Sequence, residues 1–82
     1  MKSDVVIPRL GSSDESDDVK LVRWIKQVGA SVQKGESLLE VETDKVNVEI
    51  EAPDSGLLVK TFAKEGDVVK INSVVAIIEN ND

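Results

Sequence analysis

From Val19 onward the chain alternates short apolar runs with turn signals at close spacing: Val28-Gly29-Ala30, Lys34-Gly35-Glu36, Thr43-Asp44-Lys45, Pro53-Asp54-Ser55-Gly56, Glu65-Gly66-Asp67 and Ile71-Asn72-Ser73. Short strands at regular spacing predict an all-β sandwich or barrel. The cleanest alternation is Val46-Asn47-Val48-Glu49-Ile50-Glu51. It puts three β-branched residues on one face and an amide with two acids on the other, the pattern of a strand with one buried and one wet side. Residues 4–10 read as an earlier strand, and Pro8, which has no N–H to give to a ladder, assigns it to a sheet edge. Segment 11–18 is polar, with four acids in eight residues, and reads as an exposed loop.

The sequence also repeats itself. A shift of 37 residues lays Leu21-Val22-Arg23 on Leu58-Val59-Lys60, Gly29 on Gly66, Val32 on Val69, Leu38 on Val75, Val41 on Ile78 and Glu42 on Glu79. Gly35 falls on Asn72, and these are the residue types that best tolerate a left-handed backbone. Each half is too short to bury its own apolar face, so the repeat predicts a flattened β-sandwich of two similar four-stranded sheets related by a pseudo-two-fold axis. Asp44-Lys45 falls on Asn81-Asp82. The 43–46 turn and the chain ends are therefore expected at opposite ends of the sandwich, with the N-terminal strand beside the C-terminus.

Length fixes the scale. The 82 residues and 8.9 kDa suit one small domain, residues 1–82, with roughly 4,800 Å² accessible when folded. Val occurs 14 times and Ile 6 times, which reinforces the β reading. Cys and His are both absent, so disulfides, the commonest zinc sites, the Ser-His-Asp and Cys-His mechanisms and imidazole acid-base catalysis are excluded. A net charge of −6 with one Trp and one Phe opposes nucleic acid as a partner. No apolar run approaches the ~18 residues that span a bilayer, and the N-terminus does not lead into a signal-peptide apolar region. The loop acids Asp14, Glu15, Asp17 and Asp18 lack the spacing of a known calcium loop.

What remains is lysine chemistry. Lys45 stands between two strands joined by two or three residues, which places it in a tight turn on a rigid support, a setting suited to a modification site. Trp24 and Phe62 read as packing residues, Trp24 against the sandwich and Phe62 in the core.

These residues resemble the lipoyl domains of dihydrolipoyl acyltransferases in 2-oxo acid dehydrogenase complexes. The resemblance runs through Ile7-Pro8-Arg9-Leu10-Gly11, Val22-Arg23-Trp24, the block from Lys34-Gly35-Glu36 to Glu42-Thr43-Asp44-Lys45-Val46, Ala52-Pro53 with Ser55-Gly56, and Lys64-Glu65-Gly66-Asp67. It covers residues 4–79. The 11–18 loop departs from the family's usual form and is about two residues longer.

What the resemblance implies is a substrate carrier without a catalytic site of its own, part of a transferase. Lipoic acid is expected in amide linkage on the Lys45 amine, with the dithiolane chemistry belonging to the cofactor. The implied partners are a lipoate-protein ligase or lipoyl transferase, a thiamine-diphosphate-dependent 2-oxo acid decarboxylase, the acyltransferase core and dihydrolipoyl dehydrogenase. Asp44 and Val46 are assigned to recognition by the lipoylating enzyme, and Glu42, Thr43 and the 11–18 loop to contact with the decarboxylase. The Glu42 to Asn47 stretch leans toward 2-oxoglutarate over pyruvate. The chain is expected to be a monomeric N-terminal domain of a longer acyltransferase, in the bacterial cytoplasm or the mitochondrial matrix. The alternative is a biotinyl carrier domain of a carboxylase, which typically sets Met on both sides of its lysine, where this chain has Asp44 and Val46.

Overall fold

The computed structural model describes residues 1–8, 18–43 and 46–80. Eight strands run through them: β1 Lys2–Val6, β2 Asp18–Trp24, β3 Ser31–Val32, β4 Ser37–Glu42, β5 Asn47–Glu51, β6 Gly56–Thr61, β7 Val68–Lys70 and β8 Val74–Glu79. Two four-stranded antiparallel sheets result, one in the order β1-β8-β6-β3 and the other β5-β4-β2-β7. The all-β sandwich expected from the pattern is the observed fold.

The two sheets close on one apolar core. Leu38, Leu39 and Val41 from β4 and Val75, Ala76 and Ile78 from β8 sit at its centre, with Leu21, Leu58, Val5 and Ile50 around them. Among the described residues no polar or charged side chain is buried. The molecule exposes 5046 Å², close to the area expected for a folded chain of this mass.

The 37-residue repeat is a structural symmetry. Strand β4 shifted by 37 gives the bounds of β8, and each sheet has the same layout with β1 standing for β5, β8 for β4, β6 for β2 and β3 for β7. Gly29 and Gly66 share positive φ values of 97° and 93°, and Gly35 and Asn72 share 89° and 73°. Asn72 is the one described non-glycine residue in that region, where its short amide side chain tolerates the left-handed form. At one end the β4–β5 connection turns the chain, and at the other the chain ends meet. Asn80 N–H donates to the Met1 carbonyl and the Met1 amino group to the Asn80 carbonyl, both at 2.7 Å.

Three expectations need correction. The first strand is β1, Lys2–Val6, not 4–10, although it does lie at a sheet edge. Ile7 continues its pairing through one bond each way with the 72–73 turn, and Pro8 follows the strand's end. Asp18, read as the last loop residue, is the first residue of β2 and pairs with Lys70 across the ladder. The rest of that loop call, 11–17, lies outside the described residues. Phe62 is not core: it is 52% exposed, with Lys60 Nζ 5.2 Å from its ring centre. The cause is an irregularity between Leu58 and Lys60 that interrupts the alternation and turns Lys60 and then Phe62 outward. Trp24 packs as expected, half-buried against the core, its indole N–H donating to the Ala63 carbonyl at 3.0 Å.

The outer face of the β5-β4-β2-β7 sheet carries a polar ladder. Glu40 and Glu49 stand opposite each other, a like-charge pairing that is unfavourable when left alone. Arg23 Nε donates to Glu40 Oε1 at 2.7 Å and Asn47 Nδ2 to Glu40 Oε2 at 2.9 Å, while the Ser37 hydroxyl donates to Glu49 at 2.6 Å. One carboxylate thus ties β2, β4 and β5. The Arg23 hydrogen bond, then that of Asn47, holds the Glu40 carboxyl below its ordinary value, and Glu40 in turn raises that of Arg23.

A carboxyl lowered on folding adds stability above its ordinary value of about 4.5 and loses that contribution as pH falls through the lower folded-state value. Glu40→Gln should therefore lower the melting temperature by a few degrees at neutral pH. The gap to the parent should close as the pH falls through the lowered folded-state value, which melting curves taken from neutral into acid pH check. A second outcome concerns Gly56, which faces Val32 of β3. A Cβ there would run into the Glu79 carbonyl oxygen and lie 2.9 Å from Ile78 Cγ2. Gly56→Ala should cost more than about 1 kcal/mol, read as a lower denaturant midpoint at unchanged slope.

Candidate functional site

The β4–β5 hairpin is built by register. Leu39 faces Ile50, Glu40 faces Glu49, Val41 faces Val48 and Glu42 faces Asn47. Along β5 the inward face loses cover in steps toward the turn: Ile50 is buried, Val48 half-buried and Val46, expected on the same buried face, is 57% exposed. The sandwich core ends before the hairpin does.

Beyond the Glu42–Asn47 pair, Thr43 and Val46 are joined three times. The Thr43 N–H and its hydroxyl both donate to the Val46 carbonyl at 2.9 Å, and the Val46 N–H donates to Thr43 Oγ1 at 3.2 Å. Thr43 is half-buried and Glu42 exposed, with Glu42 opposite Lys20 of β2. The other two residues singled out, Asp44 and Lys45, lie outside the described residues. By chain count they are the only two residues between the joined pair. Of the five candidate residues, then, the structure places Glu42, Thr43 and Val46 together at one end of the sandwich.

The bracing set Arg23, Glu40 and Asn47 was not singled out from the sequence. Its one signal was positional: with a tight turn at 43–46, Glu40 and Asn47 fall on facing arms of one hairpin as diagonal neighbours.

The seven other lysines sit differently. Lys2, Lys20, Lys60 and Lys70 are strand residues. Lys26 is held by Glu36 at 3.0 Å. Lys34 and Lys64 lie in turns that fold back onto the sandwich, since Gly35 N–H donates to the Ala52 carbonyl at 3.0 Å and Gly66 N–H to that of Leu21 at 2.7 Å. The backbone of those two turns is docked on neighbouring strands, whereas the 43–46 connection closes on itself.

An open cleft of about 530 Å³ lies among Trp24, Gln27, Thr61, Ala63, Lys64 and Glu65. Trp24 stands level with Leu39, three residues down β4 from Glu42, so the cleft is apart from the hairpin end. Two of its polar groups are engaged in structure: the Glu65 carboxylate accepts the Trp24 backbone N–H at 3.2 Å and the Ala63 carbonyl the indole N–H. Among the described residues there is no cluster of acids fit to hold a metal ion.

With this geometry in place, comparison with known proteins is informative. A family model described as "Biotin-requiring enzyme", the biotin/lipoyl family, matches residues 3–78. The chain is 41% identical over 75 residues to a protein of Staphylococcus saprophyticus named dihydrolipoyllysine-residue succinyltransferase component of 2-oxoglutarate dehydrogenase complex. That match covers 92% of this chain and 17% of the relative. It is 40% identical over 82 residues to a protein of Corynebacterium glutamicum named dihydrolipoyllysine-residue acetyltransferase component of pyruvate dehydrogenase complex, covering 100% of this chain and 12% of the relative. The chain thus spans less than a fifth of the length of these relatives. The solution structure of the lipoyl domain of the 2-oxoglutarate dehydrogenase complex from Azotobacter vinelandii superimposes with a TM-score of 0.74 at 24% identity, covering 95% of this chain and 99% of that one, and it shows the shared fold. The family match over residues 3–78, the relatives and the shared sandwich fold together show that this chain belongs to the biotin/lipoyl family.

Proposed function

We propose that the chain is a lipoyl carrier domain, with lipoic acid joined by an amide bond to the Lys45 amine. The observation that supports this reading is the Thr43–Val46 closure on a hairpin that extends past the core, with two residues, one of them a lysine, between the joined pair by chain count. A primary amine is the group that an amide to lipoate requires. When bound, the group supplies a dithiolane that takes up an acyl unit as it is reduced. The chain's own part is to hold the attachment point on a rigid support and to keep it clear of the sandwich.

The names of the relatives support a place in the acyltransferase component of a 2-oxo acid dehydrogenase complex. The partners are then a lipoylating enzyme, a thiamine-diphosphate-dependent decarboxylase, the acyltransferase core and dihydrolipoyl dehydrogenase. The domain itself is a carrier and does no chemistry. The substrate lean is to 2-oxoglutarate: the relatives from Staphylococcus saprophyticus, Bartonella vinsonii and Bacillus subtilis are all named as succinyltransferase components, at 41%, 38% and 38% identity. A bacterial cytoplasm or a mitochondrial matrix fits relatives from bacteria and one from fission yeast named as mitochondrial. As one domain of a longer chain it gains from tethering, because each visit to a partner becomes intramolecular and weak docking suffices. Asp44 and Val46 remain the proposed contacts for the lipoylating enzyme, and Glu42 and Thr43 with the 11–18 loop those for the decarboxylase.

Incubation with lipoate-protein ligase, ATP and lipoate should add one lipoyl increment to the intact mass of the parent and none to Lys45→Arg. No increment on a folded parent overturns the lipoyl reading, and an increment with biotin ligase and biotin in its place would move the chain to the biotinyl branch of the family. On the lipoylated domain, 2-oxoglutarate decarboxylase should acylate at least tenfold faster than pyruvate decarboxylase of the same complex type, a difference of about 1.4 kcal/mol in the barrier.

A further inference from the structure

We infer that Thr43 is a positioning residue for modification of Lys45, through its hydroxyl rather than through contact with a partner enzyme. The inference rests on the lipoyl reading above.

A two-residue hairpin loop is self-sufficient when its residues accept positive φ, as Asn-Gly and Asp-Gly do. The pair here, Asp44-Lys45, contains no glycine and ends on a long side chain. The closure must therefore be supported from its flanks. Thr43 supplies that support, since the one hydroxyl donates to the Val46 carbonyl at 2.9 Å and accepts the Val46 N–H at 3.2 Å, in addition to the backbone bond. The ladder pair below, Glu42 with Asn47, is steadied in turn by the Asn47 to Glu40 bond.

The pseudo-two-fold axis provides an internal comparison. Asn80 is the symmetry equivalent of Thr43 and Met1 that of Val46, and the backbone bond recurs there, from Asn80 N–H to the Met1 carbonyl at 2.7 Å. The side chain does not repeat the role: the Asn80 amide donates to the Ser55 carbonyl at 2.9 Å. The fold asks for the backbone closure at both ends. Among the described residues, the hydroxyl link is made at the Thr43–Val46 end.

Loss of the link should lower the fraction of hairpins in the closed form, and an enzyme that takes the closed form then sees a raised apparent KM at unchanged kcat. For ligase-catalysed lipoylation of the 82-residue chain we expect Thr43→Val to raise KM roughly five- to tenfold with kcat within about twofold of the parent. Thr43→Ser, which keeps the hydroxyl and drops the methyl, should restore KM to near the parent's. Amide hydrogen exchange at Val46 should speed up in Thr43→Val and not in Thr43→Ser. Thr43→Ala is a second hydroxyl-free variant that carries the same expectation if the valine variant does not fold. A parent-like KM in the folded hydroxyl-free variants overturns the proposal, as does equal impairment in the serine variant, which would point to the methyl and so to direct contact. Absence of lipoylation in the parent itself would instead overturn the carrier reading.

Discussion

The structure depends on an exchange of short strands. Strand β3 belongs by sequence to the first repeat yet pairs with β6, and β7 belongs to the second yet pairs with β2. Each sheet is therefore completed by the other half of the chain. Within one half β2, β4 and β5 pair with one another, and within the other β6 pairs with β8; the exchanged β7 and β3 add the last edge strand of each sheet. This couples the burial of Leu38, Leu39 and Val41 to that of Val75, Ala76 and Ile78 and gives a small domain one cooperative core. The four positive-φ turns at Gly29, Gly35, Gly66 and Asn72 are the corners that make the exchange possible.

Given that frame, the two outer faces are free to differ. On the sheet that bears the 43–46 connection, Glu40 gathers Arg23 and Asn47 into one network. The symmetry equivalent of Glu40 on the other sheet is Ile77, and that of Arg23 is Lys60, whose ammonium lies over Phe62 instead. The electrostatic bracing thus falls on the sheet that carries the hairpin. Long polar side chains cost rotamer entropy to fix, so a network of this kind adds more to the geometry of one hairpin than to net stability.

Much of this was legible in the residues. The displacement of 37 that pairs Gly35 with Asn72 was visible as a match of residue types, and the structure gives both the same backbone form. The side-by-side chain ends also followed from the repeat, because Asp44-Lys45 aligns with the C-terminus. What failed was local phase. Phe62 was read as core from its place in the repeat, where it falls on Ile25, but the irregularity after Leu58 turned it out, and nothing in Leu58-Val59-Lys60 announces such a shift. Val46 continues the apolar face of β5 in sequence, yet the core has run out where it stands. The start of β2 at Asp18 was hidden because its partner, Lys70, lies 52 residues away. Composition and short-range pattern locate turns; they do not reveal bulges, ladder partners distant in sequence, or where a core stops.

The candidate site shows the same division. Lys45 and its turn were marked by residue types at close spacing, while the hydroxyl link of Thr43 depends on which atoms face each other once the register is set. Symmetry makes the distinction physical. A two-fold sandwich has two equivalent ends, and the core, the strand exchange and the backbone closure treat them alike. At one end the backbone bond joins Thr43 and Val46, which have two residues between them in the chain; at the other the same bond joins Asn80 and Met1, far apart in sequence. On the proposed lipoyl reading, the fold supplies the short connection and the side chains on its flanks keep it together. Thr43 serves the immediate flank, and the Glu40 network serves the strands behind it.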